Sequence, residues 1–181
     1  MLLHRVRESG RRDLDVRWRY FSLAQVNSVV EGWTIWDAEP GDPAARGRLA
    51  FAAAEAARRH GLFEPVHWAL LQARHEQRLD LEERAVVEGV AGAAGLAGDD
   101  LRAALADPAL LQPLARDHQA AVSELGVFGT PTFHFPGRGA AYVRVRPAPE
   151  GRAAVELFDH LARMVAEEPE LLELKRPRKR A

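Results

Sequence analysis

The 181-residue chain combines a nearly balanced charge with a complete absence of cysteine. Its hydrophobic fraction of 47% is enough for one core, or for a core with a helical insertion. A formal net charge of -1 provides no global attraction to nucleic acid or to a membrane surface, so we expect neither as a partner. Without cysteine, the sequence as given excludes disulfides, thiolate metal sites and a cysteine nucleophile.

The beginning of the chain predicts a short helix followed by a strand. Apolar residues at helical spacing favour a helix over residues 2–9, which is too short to be stable unless it packs against another element. Residues 14–20 alternate apolar and charged side chains, the pattern of a strand with one buried and one solvent-facing side. The first residues lack the apolar core of a secretion signal, and no apolar run is long enough to cross a bilayer, so we expect a cytoplasmic protein with no membrane partner.

Residues 24–42 predict an irregular stretch that holds Asn27, Trp33 and Trp36. An indole offers an apolar body with one hydrogen-bond donor, so these three residues are candidates for lining a pocket. The alternative is that the two tryptophans close the end of a core, since most aromatic side chains pack rather than bind ligands.

The middle of the chain, residues 43–125, predicts an all-helical block. Alanine-rich and arginine-rich segments are separated by glycine, proline and aspartate signals, with Gly61, Gly95 and Gly126 at the expected helix ends. Asp80 and Asp107 stand at expected N-cap positions.

After this block the pattern predicts a hairpin and a final helix. Strands are expected over 131–135 and 141–146 around a Pro/Gly turn, and an amphipathic helix over 150–167. Residues 169–181 form a tail whose basic end is typical of a solvated terminus. One strand and one hairpin make a very small sheet, so a further strand is either lost or supplied from elsewhere.

The segment Val127-Phe128-Gly129-Thr130-Pro131-Thr132-Phe133 opens the predicted hairpin. Proline has no amide hydrogen and is tolerated at the first residue of a strand, so Pro131 marks where that strand begins. Residues before proline are biased toward extended conformations, which suits Thr130. By base rate alone the Thr130–Pro131 bond is expected to be trans.

This segment resembles the second half of a thioredoxin fold of the DsbA type. Residues 16–27 resemble the second strand and following loop of DsbA-family proteins, and residues 172–176 are similar to the tail of actinobacterial DsbA-like proteins, including mycothiol-dependent nitroreductases. The resemblance implies a cis Thr130–Pro131 bond and a substrate-binding loop at Gly129, Thr130 and Pro131. It also implies a thiol- or disulfide-bearing small molecule or protein as partner, and glutathione or mycothiol as the low-molecular-weight thiol.

We therefore predict an α/β, thioredoxin-like fold with an all-helical insertion, N-terminally truncated or divergent. Residues 1–42 and 126–168 would form the thioredoxin-like sheet with its flanking helices, and residues 43–125 the insertion. Family members carry a Cys-x-x-Cys or Cys-x-x-Ser motif at the start of the first helix, and this chain has none. We accordingly assign no catalytic residue.

Two functional hypotheses follow. In the first, the chain is a thiol-disulfide oxidoreductase family member, inactive in thiol redox chemistry as written, whose cysteine motif is encoded upstream of the assigned start. In the second, it is a non-catalytic binding or scaffolding protein on the same fold. A homo-oligomer, in which a second copy completes the sheet, stays open beside a monomer.

The histidines give no metal-site spacing, so no metal is predicted. His67 and His75 are eight residues apart, which is not the i, i+4 spacing of a zinc-binding helix. His118 and His134 flank the proline loop in sequence, where an acid/base role is an alternative to a hydrogen-bonded or solvated histidine.

Overall fold

The computed structural model describes residues 1–10 and 14–175, which form two compact units. The sheet unit contains the described residues up to 18 and those from 127 onward, and the helical unit contains residues 19–126. Residues 19–42, grouped with the sheet in the sequence analysis, belong to the helical unit.

The helical unit packs its helices around small side chains. Alanines 52, 53, 54, 56 and 57 are all buried on α3, which lets α4, α5 and α6 approach its axis closely. Helices of this unit are α2 (Leu23–Asn27), α3 (Arg48–Arg59), α4 (Phe63–His75), α5 (Arg84–Ala93), α6 (Gly98–Leu105) and α7 (Gln112–Leu125). The predicted helical block over 43–125 is thus present, with Gly61, Gly95 and Gly126 at positive φ just beyond helix ends.

The two predicted aspartate caps were wrong. The Asp80 carboxylate accepts from the Glu82 N–H at 3.1 Å, and Asp107 accepts from the Ala109 N–H at 2.9 Å. Each aspartate therefore closes a tight turn of its own, and the following helix begins several residues later.

The sheet unit contains an antiparallel hairpin packed against two helices. The helices are α1 (Leu2–Glu8) and α8 (Gly151–Glu167), and the strands are β1 (Thr132–Phe135) and β2 (Gly139–Tyr142). The predicted strand over 141–146 starts two residues earlier and stops at Tyr142. Leu2 and Val6 of α1 are buried with Ala154 and Phe158 of α8, which explains how so short a first helix is stabilised.

The strand predicted for residues 14–20 is absent. Exposure alternates from Leu14 to Arg19 as predicted, but this extended segment joins no ladder in the described part of the chain. The Tyr20 N–H instead donates to Asp117 at 3.2 Å, and the Ser22 N–H donates to His118 at 3.2 Å. Side chains of α7 therefore take these two amide hydrogens, and in the described part of the chain the predicted strand over residues 14–20 does not join the sheet of the hairpin.

Candidate functional site

The proline loop leads directly into β1. The Thr130–Pro131 peptide bond is cis. Thr132 Oγ1 donates to the Gly129 carbonyl at 2.7 Å, and the Val143 N–H donates to the Pro131 carbonyl at 3.0 Å. These two bonds fix the loop against both strands of the hairpin.

Gly129 is buried beneath an aromatic ring. A Cβ added at Gly129 would lie 3.3 Å from Tyr142 Cε2, which leaves little space for any side chain. The neighbouring Phe128 is 69% exposed and its ring centroid lies 5.5 Å from that of Tyr142. The loop thus presents an apolar aromatic pair to solvent beside a closely packed backbone.

The main chain of Thr130 is open to a ligand. Thr130 is exposed, and no group among the described residues donates to its carbonyl or accepts from its N–H. A main chain with free N–H and C=O groups can pair with an extended partner as a strand would. Of the three predicted loop residues, Thr130 and Pro131 are exposed and Gly129 is buried.

The structure places the predicted pocket residues in the helical unit. Trp33 and Trp36 pack around the buried Ile35, and Trp33 Nε1 donates to Asp42 at 3.0 Å, while Asn27 is exposed at the end of α2. The two tryptophans share a cluster with buried alanines, as in the packing alternative.

His118 is buried within the helical unit beside two aromatic rings. Its ring centroid lies 4.9 Å from that of Phe21 and 5.7 Å from that of Trp36, and its Nδ1 accepts from the Ser22 N–H. Burial lowers the pKa of His118. The ring is therefore held neutral in an acceptor role, whereas His134 is exposed on β1.

The structure contains a buried polar network that was not predicted from the sequence. Tyr20 Oη donates to the buried Glu55 carboxylate at 3.1 Å, and Arg58 Nε donates to the same oxygen at 3.2 Å. The Arg58 guanidinium lies 3.7 Å from the centroid of the Phe63 ring. Burial raises the pKa of Tyr20, so the phenol stays protonated and can donate. The sequence feature that indicates this network is a single glutamate within a run of alanines.

A shallow cleft of about 330 Å³ lies between α3 and α6, lined by Arg59, His60, Asp100, Ala103, Ala104 and Asp107. Its charges are already paired, since Arg59 contacts Asp107 at 2.6 Å and His60 contacts Asp100 at 3.6 Å. The Arg59 hydrogen bond lowers the pKa of Asp107. Exposed ion pairs of this kind contribute little to stability, and we assign no role to this cleft.

Among residues 1–10 and 14–175, no cluster of three or more histidine, aspartate or glutamate side chains could hold a metal ion. In the same described ranges no helix is both long and apolar enough to cross a bilayer.

Comparison with known proteins gives one family. Residues 2–148 match the family model described as the DSBA-like thioredoxin domain, which spans most of the chain. A search of curated proteins gave no match.

Proposed function

Because the chain belongs to the DSBA-like thioredoxin domain family, we propose that it binds a thiol- or disulfide-bearing ligand without performing thiol-disulfide exchange itself. Exchange begins with attack of a thiolate on a disulfide sulfur. The 181 residues contain no cysteine, so they supply no thiolate for that attack.

The exposed main chain of Thr130 carries this proposal. A ligand with a peptide-like backbone can accept from its N–H and donate to its carbonyl, as an added strand does. The exposed ring of Phe128 beside it offers apolar contact to the ligand's thiol-bearing side chain. Glutathione and mycothiol, which contain amide groups next to a thiol, are the small ligands that we propose, and an extended segment of a protein is the larger one.

The experiment titrates isotopically labelled full-length chain with glutathione disulfide and, separately, with mycothiol disulfide. We expect saturable amide shifts centred on Thr130 and Thr132, and no turnover in an insulin-reduction assay. Thr130→Pro, which removes the N–H, should abolish the shifts, whereas the matched control Thr130→Ser should retain them. Circular dichroism of both variants checks that the fold is intact.

Measured reductase turnover by the cysteine-free chain would contradict the non-catalytic assignment. Saturable shifts that survive Thr130→Pro would contradict the assignment to this loop, and no shift with either disulfide would refute the ligand class. The cytoplasmic location stays a prediction, which cell fractionation can test.

A further inference from the structure

Arg144 lies beside the proline loop, just past the end of β2. The Val143 N–H donates to the Pro131 carbonyl at 3.0 Å. In the chain, Thr130 precedes one end of this hydrogen bond and Arg144 follows the other. Residues opposed across such a bond have Cα atoms roughly 5.5 Å apart, so the Arg144 side chain can reach a ligand that is bound at Thr130.

The side chain of Arg144 is on the side of the hairpin that faces the loop. Although β2 ends at Tyr142, exposure continues to alternate, since residues 142, 144 and 146 are exposed and residues 141, 143 and 145 are partly covered. Val145, from the covered set, packs on the cluster that α1 and α8 form. The ring of Tyr142, from the exposed set, lies against Gly129 of the loop. Alternation therefore directs Arg144 away from the two helices and toward the loop side.

The charge of Arg144 is not neutralised by a neighbouring carboxylate. Residues 126–149 contain three arginines, at 138, 144 and 146, and no carboxylate side chain. Within residues 1–10 and 14–175, none of these three arginines forms an ion pair. By contrast, Arg84, Arg102 and Arg152 each pair with a carboxylate on their own helix. In the described part of the chain, the loop side of the hairpin thus carries positive charge that a bound anion could neutralise.

From this juxtaposition we infer that the proline loop binds a ligand with a carboxylate next to its thiol or disulfide, and that Arg144 selects for that carboxylate. This preference rests on the proposed function, whose ligand class it narrows. Glutathione has free carboxylates on its glycine and γ-glutamyl residues, whereas mycothiol, a cysteinyl derivative of an amino sugar, has none. Glutathione disulfide should therefore bind more tightly than mycothiol disulfide.

The dimensions of glutathione suit this arrangement. If the main chain of its cysteine pairs with Thr130, the glycine carboxylate lies one residue further, roughly 3.3 Å along an extended chain. A guanidinium can donate two parallel hydrogen bonds to a carboxylate, which an amide of the same shape cannot accept in the same way. Because Arg144 is exposed, water and salt weaken the attraction, and we expect a preference of modest size.

Two ligands that differ in charge but hardly in shape provide the test. They are glutathione disulfide and its analogue in which both glycine carboxylates are replaced by amides. Dissociation constants are measured by titrating the isotopically labelled full-length chain at low salt. We expect the carboxylate form to bind roughly fivefold more tightly than the amide form, and the difference to shrink as salt is added. Mycothiol disulfide should bind no more tightly than the amide form.

Variants of the hairpin arginines assign the preference to a residue. Arg144→Gln should bind the carboxylate and amide forms with equal affinity, because the group that distinguishes them is removed. Arg144→Lys keeps the charge without the planar guanidinium and should retain part of the preference. The matched control is Arg138→Gln, an exposed arginine in the turn at the other end of the same hairpin, and it should retain the full preference. Circular dichroism checks that each variant is folded.

The possible failures separate this preference from the proposed function. Equal affinity of the wild-type chain for the carboxylate and amide forms, with shifts still centred on Thr130, would overturn the preference and leave the proposed function standing. A preference that persists in Arg144→Gln would overturn the assignment to this side chain. Absence of binding by every disulfide would refute the preference together with the proposed function.

Discussion

In the helical unit, the polar groups that reach the interior are paired with one another, whereas the sheet unit leaves main-chain groups and arginines facing solvent. Glu55 holds both Tyr20 and Arg58, and His118 accepts from a main-chain amide. Arg48 Nε is the exception among the described buried side-chain atoms, since it has no hydrogen-bond partner. The difference shows that the helical unit satisfies most of its described interior polar groups, whereas the sheet unit exposes the main-chain groups that we propose bind a ligand.

The largest expected effect tests how completely the helical unit is packed. Leu114 is fully buried on α7, so Leu114→Ala should lower the free energy of unfolding of this unit by about 2–5 kcal/mol, through lost burial and a residual cavity. Urea unfolding followed by far-ultraviolet circular dichroism measures the loss. Leu125→Ala on the exposed side of the same helix is the control and should cost far less. Equal losses would show that the α7 interface is not a packed core.

An acid-dependent loss of stability should follow from His67. Burial lowers the pKa of His67 from 6.5 to about 4, so the unfolded chain binds a proton that the folded chain excludes. This contribution is fully present above pH 6.5 and is lost as pH falls toward 4, by up to about 3 kcal/mol. His67→Gln should flatten the dependence of unfolding free energy on pH in that window. An unchanged slope in His67→Gln would contradict the assignment.

The smallest effects are expected at two glycines, where substitution by alanine should change stability in opposite directions. Gly89 lies inside α5 with open space around it, so Gly89→Ala should stabilise the protein by about 0.5–1 kcal/mol through helix propensity. Gly129→Ala should destabilise the hairpin instead, because its Cβ would press on the Tyr142 ring. Thermal unfolding measures both changes, and stabilisation by Gly129→Ala would show that the proline loop is loosely packed.

Local signals predicted the helices better than they predicted the sheet. Glycine at helix ends and the amphipathic stripe of α8 are properties of neighbouring residues, so their positions could be read from the sequence. The segment 14–20 carries the correct alternation, but a strand also needs a neighbouring backbone. The Tyr20 N–H instead donates to Asp117, about one hundred residues away, and the nearby Ser22 N–H donates to His118.

The candidate site was predictable in part. The conformational preferences of glycine, threonine and proline indicated where the loop lies. The cis peptide bond before the proline was expected from the family resemblance, because the low frequency of cis X-Pro bonds favours trans. The network of Tyr20, Glu55 and Arg58 had one signal in the sequence, the lone glutamate within the alanine run. Its contact with Tyr20, thirty-five positions away, could not be predicted. Nothing in the local pattern marks that tyrosine as different from other apolar strand residues.

The continuity of the helical unit has a consequence for biosynthesis. Its residues 19–126 form one uninterrupted stretch. The Tyr20 N–H donates to the Asp117 carboxylate, which links the beginning of that stretch to its last helix. This unit can therefore complete its fold while the ribosome is still making the remainder. The hairpin and α8 are translated after this unit, so the apolar face of α1 stays uncovered until α8 is made and packs against it.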